Sequence, residues 1–267
     1  MSQSRGYLDD NPELESALEW AERWYHVPVL LVLLGFMLWN RVRSWQNFIV
    51  DGEVLFSGND AWYHYRSTKY VVENWPSTMP FDPWTAFPYG TSNGQFGTLF
   101  DQIIATAALV VGLGDPSQQT IGMTLLIAPA VFGALVVIPT YFIGKRLGGR
   151  AGGVGAALVL ALLPGVFLRR STAGFSDHQV AEVLLQATAV LAVMVALRSA
   201  EREKPVFELL LDRDWAALRE PTKWAALAGI AIGLYMWVWP PAVVLVGILG
   251  VFFTIALVVE YQAGRSP

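Results

Sequence analysis

The stretch Thr98–Gly114, TLFDQIIATAALVVGLG, decides the topology of this chain. It is apolar but short, and Asp101 and Gln102 lie near its start. Six other apolar runs, at roughly 25–45, 119–143, 151–169, 179–198, 223–239 and 241–260, come near the length of about 20 residues that crosses a bilayer core. If 98–114 crosses as well, the segments on either side of it face opposite sides of a membrane. If it lies flat, they share one side. Short cytoplasmic loops are enriched in Lys and Arg, and this separates the two cases. With 98–114 on the surface and the N-terminus cytoplasmic, the Lys145/Arg146/Arg150 loop falls inside. So does the loop carrying Arg198, Arg202, Lys204, Arg213, Arg219 and Lys223. The spanning alternative puts Lys145, Arg146 and Arg150 outside. A surface helix over 98–114 is therefore expected.

Arg41 with Arg43 and Arg169 with Arg170 run against that count. The first pair borders a long outer segment, where the rule loses force. Arginines of the second pair can snorkel to the interface.

Apolar residues make up 54% of the 267, and charged ones only 15%, which points to an integral membrane protein. The net charge of −4 is segregated into loops, and no nucleic-acid partner is expected. There is no cysteine, so disulfides, thiolate chemistry and a Cys/His zinc site are excluded. Residues 1–24 read as a cytoplasmic acidic amphipathic segment, with Leu14, Ala17, Leu18, Ala21 and Trp24 at helical spacing. They lack the basic start and small-residue cut site of a cleavable signal. The expected fold class is an all-α polytopic helical bundle over 25–267, with about six spans and a large first outer loop at about 47–118. That loop is rich in interfacial aromatics such as Trp62, Trp75 and Trp84. Within it, 61–75 predicts a helix capped by Asn59 or Asp60 and ended by Pro76. Trp239-Pro240-Pro241 predicts a tight turn between the last two spans.

Two polar windows then face the same side, outside. Gly58-Asn59-Asp60-Ala61-Trp62-Tyr63-His64-Tyr65-Arg66 is one, and Thr172-Ala173-Gly174-Phe175-Ser176-Asp177-His178-Gln179 is the other. Asp60 and Asp177 can offer one carboxylate each to a hard cation such as Mg²⁺ or Mn²⁺, with His178 or Gln179 as a further ligand. His64 lies one helical turn beyond Asp60. A cation there suits a reaction that departs from a lipid-linked phosphate, which Arg169 and Arg170 are placed to contact. Plainer readings stand beside these. Asp60 and Asp177 also suit helix caps, and His178 an interfacial polar residue. Arg66 and Lys69 suit a solvated helix face, and Asp82 and Asp101 suit turns or caps.

Together with Phe81-Asp82-Pro83-Trp84-Thr85-Ala86-Phe87-Pro88-Tyr89-Gly90 and the aromatic turn Tyr235-Met236-Trp237-Val238-Trp239-Pro240, these windows resemble the catalytic subunit of oligosaccharyltransferase. The archaeal, dolichol-phosphate-using branch is the most similar. The resemblance implies a glycosyltransferase fold of the GT-C type. It also implies metal-dependent transfer of a lipid-linked oligosaccharide to asparagine in Asn-x-Ser/Thr of an acceptor protein. By resemblance, Asp60 is the catalytic carboxylate that binds metal and meets the acceptor amide, and Asp177 opens the second metal motif. That motif ordinarily ends in Asp, Glu or His, where this chain has Gln179; His178 would compensate. The family's further spans, its later outer-loop glutamate and its soluble C-terminal domain have no counterpart here. The chain therefore resembles the N-terminal portion, expected to be inactive alone. Two other classes remain at this point. One is a different polyprenyl-phosphate-dependent multispan glycosyltransferase. The other is a non-catalytic paralogue or transporter fragment, though only Glu182 places a carboxylate inside a span, which disfavours transport.

Overall fold

The computed structural model describes residues 23–201 and 204–264, together with Ser16 and Trp20. The acidic segment expected over 1–24 therefore lies almost wholly outside the described residues.

Helix α1 (His26–Val42) carries no charged residue before Arg41. It belongs to the first of four stretches that, among the described residues, are long and apolar enough to cross a membrane: His26–Phe48, Gln118–Leu162, Gln179–Ala200 and Pro240–Gln262. The second is 45 residues long because it joins two of the expected spans. It consists of α4 (Gln118–Leu135) and α5 (Val137–Leu162). Pro139 has no N–H for the Leu135 carbonyl, which interrupts the helix there without turning the chain. The reversal comes at Gly148-Gly149, where φ is −136° and +65°. A Cβ on Gly144 would sit 2.6 Å from Ala156 Cβ and 2.7 Å from the Gly152 carbonyl, so small residues let the two arms touch. The run expected to continue to 169 stops at Leu162, because Pro164 and Gly165 end the helix. A short α6 (Val166–Arg170) restarts it.

Helix α7 (Gln179–Ala200) packs along α9 (Trp215–Val238), the most extensive helix pair among the described residues, with the short α8 (Val206–Leu211) between them in sequence. Helix α9 begins earlier than the expected run at 223, with Arg219 and Glu220 in its added turns. After the turn Pro240–Ala242, α10 (Val243–Gln262) fully buries Leu245, packs Leu249 partly against the same cluster and turns most of its other apolar residues outward. The protein is thus a multi-pass helical membrane protein.

The outer loop is framed by two short antiparallel ladders. Strand β1 (Ile49–Val50) pairs with β2 (Glu53–Val54), and β3 (Phe81–Asp82) with β4 (Thr91–Ser92). Between them runs α2 (Asn59–Asn74), which starts two residues earlier than expected and stops before Trp75-Pro76. The deciding stretch forms α3 (Leu99–Val111), and 13 residues rise only about 20 Å. That is short of a hydrocarbon core of roughly 30 Å. Helix α3 packs against α2 and α4 instead of crossing. Consequently the end of α1, the start of α4 and the 171–178 loop meet on one side of the bundle. Arg41 joins them. Its carbonyl accepts the Ala173 N–H at 2.9 Å, and its Nε donates to Ser171 Oγ at 2.8 Å. Its guanidinium lies 5.2 Å from the Phe167 ring centre. The arginine that opposed the charge count is therefore a fully buried link between elements.

Candidate metal centre

The second polar window is held by backbone groups that the helices leave free. Pro129 cannot donate to the Leu125 carbonyl, and Ser176 Oγ donates there at 2.9 Å. The Gly174 N–H donates to the Leu126 carbonyl at 3.0 Å, and the Ser57 N–H to the Gly174 carbonyl at 2.9 Å. At Gly174, φ is +90° and a Cβ would fall 2.4 Å from the Phe48 ring, so the loop needs glycine twice over. These contacts bury Asp177, leaving it 2% exposed.

Three ligand-type atoms converge at Asp177. Its Oδ1 lies 2.7 Å from His178 Nδ1 and 3.5 Å from His64 Nε2, and the two ring nitrogens are 3.1 Å apart. All three lie within 4.8 Å of one another. Neither contact to Asp177 Oδ1 has hydrogen-bond alignment, so this buried oxygen has no hydrogen-bond partner. His64 comes from α2 and is itself buried. Its Nδ1 lies 2.7 Å from Oδ1 of the buried Asp101 on α3. Phe100 meets the His64 ring edge-on at 4.9 Å, and Trp239 stacks on His178 at 4.6 Å. Trp239 is placed by the α9–α10 turn. There the Thr98 N–H donates to the Trp237 carbonyl, and Trp237 Nε1 donates to Thr98 Oγ1 at 3.0 Å. The apolar cluster of Phe100, Ile104, Leu125, Ala181 and Val238 supports the group.

The electrostatics call for positive charge at this point. Burial alone would lower the His64 imidazolium, but Asp101 and Asp177 outweigh it and raise it to about 9. Burial would raise Asp177, yet the two imidazoles hold its carboxyl well below the usual carboxylate range. Burial lifts Asp101 above that range, with His64 opposing. The gap between the two rings thus takes a proton or a cation. One carboxylate oxygen and two imidazole nitrogens are a donor set that suits Mn²⁺ or another first-row divalent ion.

The centre lies on a cavity of about 920 Å³. Asp60, Trp62, Arg66 and Trp84 line one wall, and Arg170, Gln179, Glu182 and Val183 the other. Each site residue expected from sequence can now be placed. Asp177 and His178 are in the converging group. Asp60 reaches the cavity but is exposed and outside that group, and it caps nothing: the N-cap of α2 is Gly58, without a side-chain cap bond. Gln179 lines the cavity with its Oε1 buried and unbonded. Arg170 faces the cavity, with its Nε buried and unbonded and its guanidinium 5.7 Å from the Phe175 ring centre. Arg169 is exposed and does not line the cavity. Asp101, expected as a cap or turn residue, is instead the buried partner of His64. Asp82 does serve a turn, accepting the Trp84 N–H at 3.0 Å, but it also binds Arg66. Arg66 is therefore not a merely solvated residue. The signal for His64 was present in its spacing of four from Asp60 on one helix face. Asp101 had no local signal, because 37 residues separate it from His64.

Residues 30–264 match the sequence profile of the family described as Oligosaccharyl transferase STT3, N-terminal. The chain is 59% identical over 252 residues to the dolichyl-monophosphooligosaccharide–protein glycotransferase AglB of Haloferax volcanii, covering 94% of this chain and 24% of that protein. It is 28% identical to dolichyl-phosphooligosaccharide-protein glycotransferase 3 of Archaeoglobus fulgidus, over 92% of this chain and 27% of the relative. Among solved structures, the A. fulgidus AglB in complex with an inhibitory peptide and a dolichol-phosphate superposes with a TM-score of 0.77. That match has 27% identity and covers 89% of this chain and 26% of the other. The A. fulgidus oligosaccharyltransferase in complex with Zn and sulfate gives a TM-score of 0.71 and 28% identity, over 84% of this chain and 26% of that one. The chain spans about a quarter of the length of these relatives.

Proposed function

Because the chain belongs to the STT3 oligosaccharyl transferase family, we propose that it supplies the cation-binding part of an oligosaccharyltransferase centre. The reaction is transfer of a dolichol-phosphate-linked oligosaccharide to the asparagine of an Asn-x-Ser/Thr acceptor. The observation that carries this reading is the convergence of His64 Nε2, Asp177 Oδ1 and His178 Nδ1 beside a cavity that Asp60 and Arg170 also line. His64, Asp177 and His178 would hold a divalent ion there, Mn²⁺ rather than the oxygen-demanding Mg²⁺, and when bound it would supply positive charge toward the lipid phosphate.

This chain's own residues account for the rest. Arg170 turns a planar cation with a free buried Nε toward the cavity, a form that matches phosphate oxygens. Arg169, exposed and outside the cavity, is left to the interface. Asp60 carries an exposed carboxylate that can accept a hydrogen bond from the acceptor amide. Gln179 offers a neutral oxygen to the same space, in place of the charged residue common in the family. Val166, Phe167 and Val183 give the cavity an apolar margin that suits the first units of a lipid chain. Relatives solved with dolichol-phosphate and peptide, and with zinc and sulfate, support these ligand classes. The charge distribution orients the cavity outward, with the N-terminus cytoplasmic.

The test joins this chain to the remaining three quarters of the Haloferax relative. Transfer from a lipid-linked oligosaccharide to an Asn-x-Ser/Thr peptide is then measured in membranes. Transfer by the joined protein, lost in Asp60→Ala and in Asp177→Ala, is expected. Undiminished transfer in both variants refutes the assignment.

A further inference from the structure

The cavity has two unlike walls. Val166, Phe167 and Val183 give one an apolar margin, and the other passes through Trp84, Thr85 and Ala86 into the loop between β3 and β4. Along that loop Trp84 is 67% exposed, Phe87 72% and Tyr89 87%. The Trp84 and Phe87 rings are nearly parallel, at 17°, with centres 6.3 Å apart. A contiguous set of exposed aromatics marks an interaction surface. The loop that presents these rings is held in one shape. The β3–β4 ladder closes its base, pairing Phe81 with Ser92 and Asp82 with Thr91. The buried Asp82 carboxylate accepts the Trp84 N–H and the Thr85 hydroxyl. Ala86 sits at φ +58°, a conformation that costs a residue with a Cβ, and its carbonyl accepts the Tyr89 N–H at 3.1 Å. From Phe81 to Thr98 the one charged residue is Asp82, and Arg66 pairs with it. The face thus offers flat rings and no free charge.

We propose that Trp84, Phe87 and Tyr89 form a carbohydrate platform, on which sugar rings of the donor's oligosaccharide stack by their C–H faces. This rests on the transfer reading given above. In a lipid-linked donor the phosphate stands between the lipid and the glycan. With the phosphate at Arg170 and the lipid along Val166 and Phe167, the glycan leaves toward the opposite wall. There Trp84 begins the row, and Phe87 and Tyr89 extend it beyond the cavity. The exposed Tyr89 hydroxyl can donate to and accept from sugar hydroxyls. A membrane-interface anchor is one competing reading. Interfacial segments combine aromatics with Lys or Arg, and this loop has neither. An acceptor peptide is the other. Peptide recognition draws on pockets for side chains, whereas Phe87 and Tyr89 lie outside the cavity.

The joined protein of the transfer assay is given two donors on the same polyprenyl phosphate, one bearing a single hexose and one a tetrasaccharide. Phe87→Ala and Tyr89→Ala should each raise KM for the tetrasaccharide donor by about 5- to 10-fold, with kcat and the acceptor KM unchanged. Phe87→Trp, which keeps an aromatic face, should restore the wild-type KM. The rise should disappear with the single-hexose donor, whose sugar does not reach Phe87. Both side chains are exposed, so neither truncation opens the core. Wild-type KM in both alanine variants, an equal rise with both donors, or a rise in acceptor KM instead overturns the proposal while the transfer reading stands. The chain has no cysteine, so a nitroxide on Tyr89→Cys in nanodiscs reads the surroundings of the loop. Access by a water-soluble relaxant is expected, and shielding by lipid chains marks a membrane anchor and overturns the platform. Transfer of neither donor by the wild-type joined protein removes the transfer reading itself, and the proposal with it.

Discussion

Replacing Asp82 with asparagine should loosen the cavity wall that carries Trp84 and Thr85. The Asp82 carboxylate is buried close to the surface and accepts four hydrogen bonds. Arg66 donates from Nη2 at 2.5 Å and from Nε at 3.2 Å, Thr85 Oγ1 donates at 2.6 Å, and the Trp84 N–H donates at 3.0 Å. In Asp82→Asn one oxygen becomes an NH₂ facing two donors. Two charge-assisted bonds at about 1.5–3 kcal/mol each set an upper bound. Arg66 keeps 32% of its side chain in water and recovers part of that loss, so about 2 kcal/mol is expected. The assay is unfolding in detergent at pH 7, with amide exchange over 83–90 as the local readout. Burial would raise Asp82, but Arg66, Thr85 and the Trp84 amide hold it below the ordinary carboxylate value. A depressed carboxylate stabilises above its unfolded value, and that contribution fades as pH falls through the folded one. The gap between wild type and Asp82→Asn should therefore close below about pH 4. Equal stability at pH 7, or a gap that persists unchanged into acid, refutes the clamp.

Two further substitutions probe how the windows are built. Ser176→Ala removes the donor to the Leu125 carbonyl and should cost about 1–3 kcal/mol. The cost should shrink in a Pro129→Ala background, where a restored helical N–H satisfies that carbonyl; a thermal double-mutant cycle in detergent checks this. Gly144→Val drives a side chain into Ala156 and the Gly152 carbonyl and should lower the melting temperature through a loss of about 2 kcal/mol or more. Gly155→Ala, where a Cβ meets nothing within 4 Å, should be neutral or stabilising by up to about 1 kcal/mol in the same melt.

Much of the architecture is legible from hydropathy, because a span must satisfy its backbone internally and so declares itself by length. The surface position of 98–114 followed from counting Lys and Arg, and the 13-residue α3 agrees. Charge counting misjudged Arg41, since the rule concerns residues in water and this side chain is buried against Ser171 and Phe167. The reversal at Gly148-Gly149 falls within the short Lys145/Arg146/Arg150 loop expected between two spans, although the helix is continuous up to it. At the site, Asp177 and His178 were visible as polar residues interrupting an apolar sequence. His64 was noticed only for its distance from Asp60, and Asp101 passed for a cap. Partners brought together by α2–α3 packing leave no mark in a local window. Asp60, the residue most plainly signalled by motif, is the one that stands apart from the converging ligands.

The most direct test of the account is the ligand count around a bound ion. The chain is loaded with Mn²⁺ in nanodiscs, the stoichiometry is measured, and couplings to ¹⁴N are resolved by electron–nuclear double resonance. The account predicts a single bound ion with couplings to two imidazole nitrogens, abolished in Asp177→Ala. Absence of stoichiometric binding, or a bound ion surrounded by oxygen alone as Asp60, Asp177 and Gln179 would provide, contradicts it.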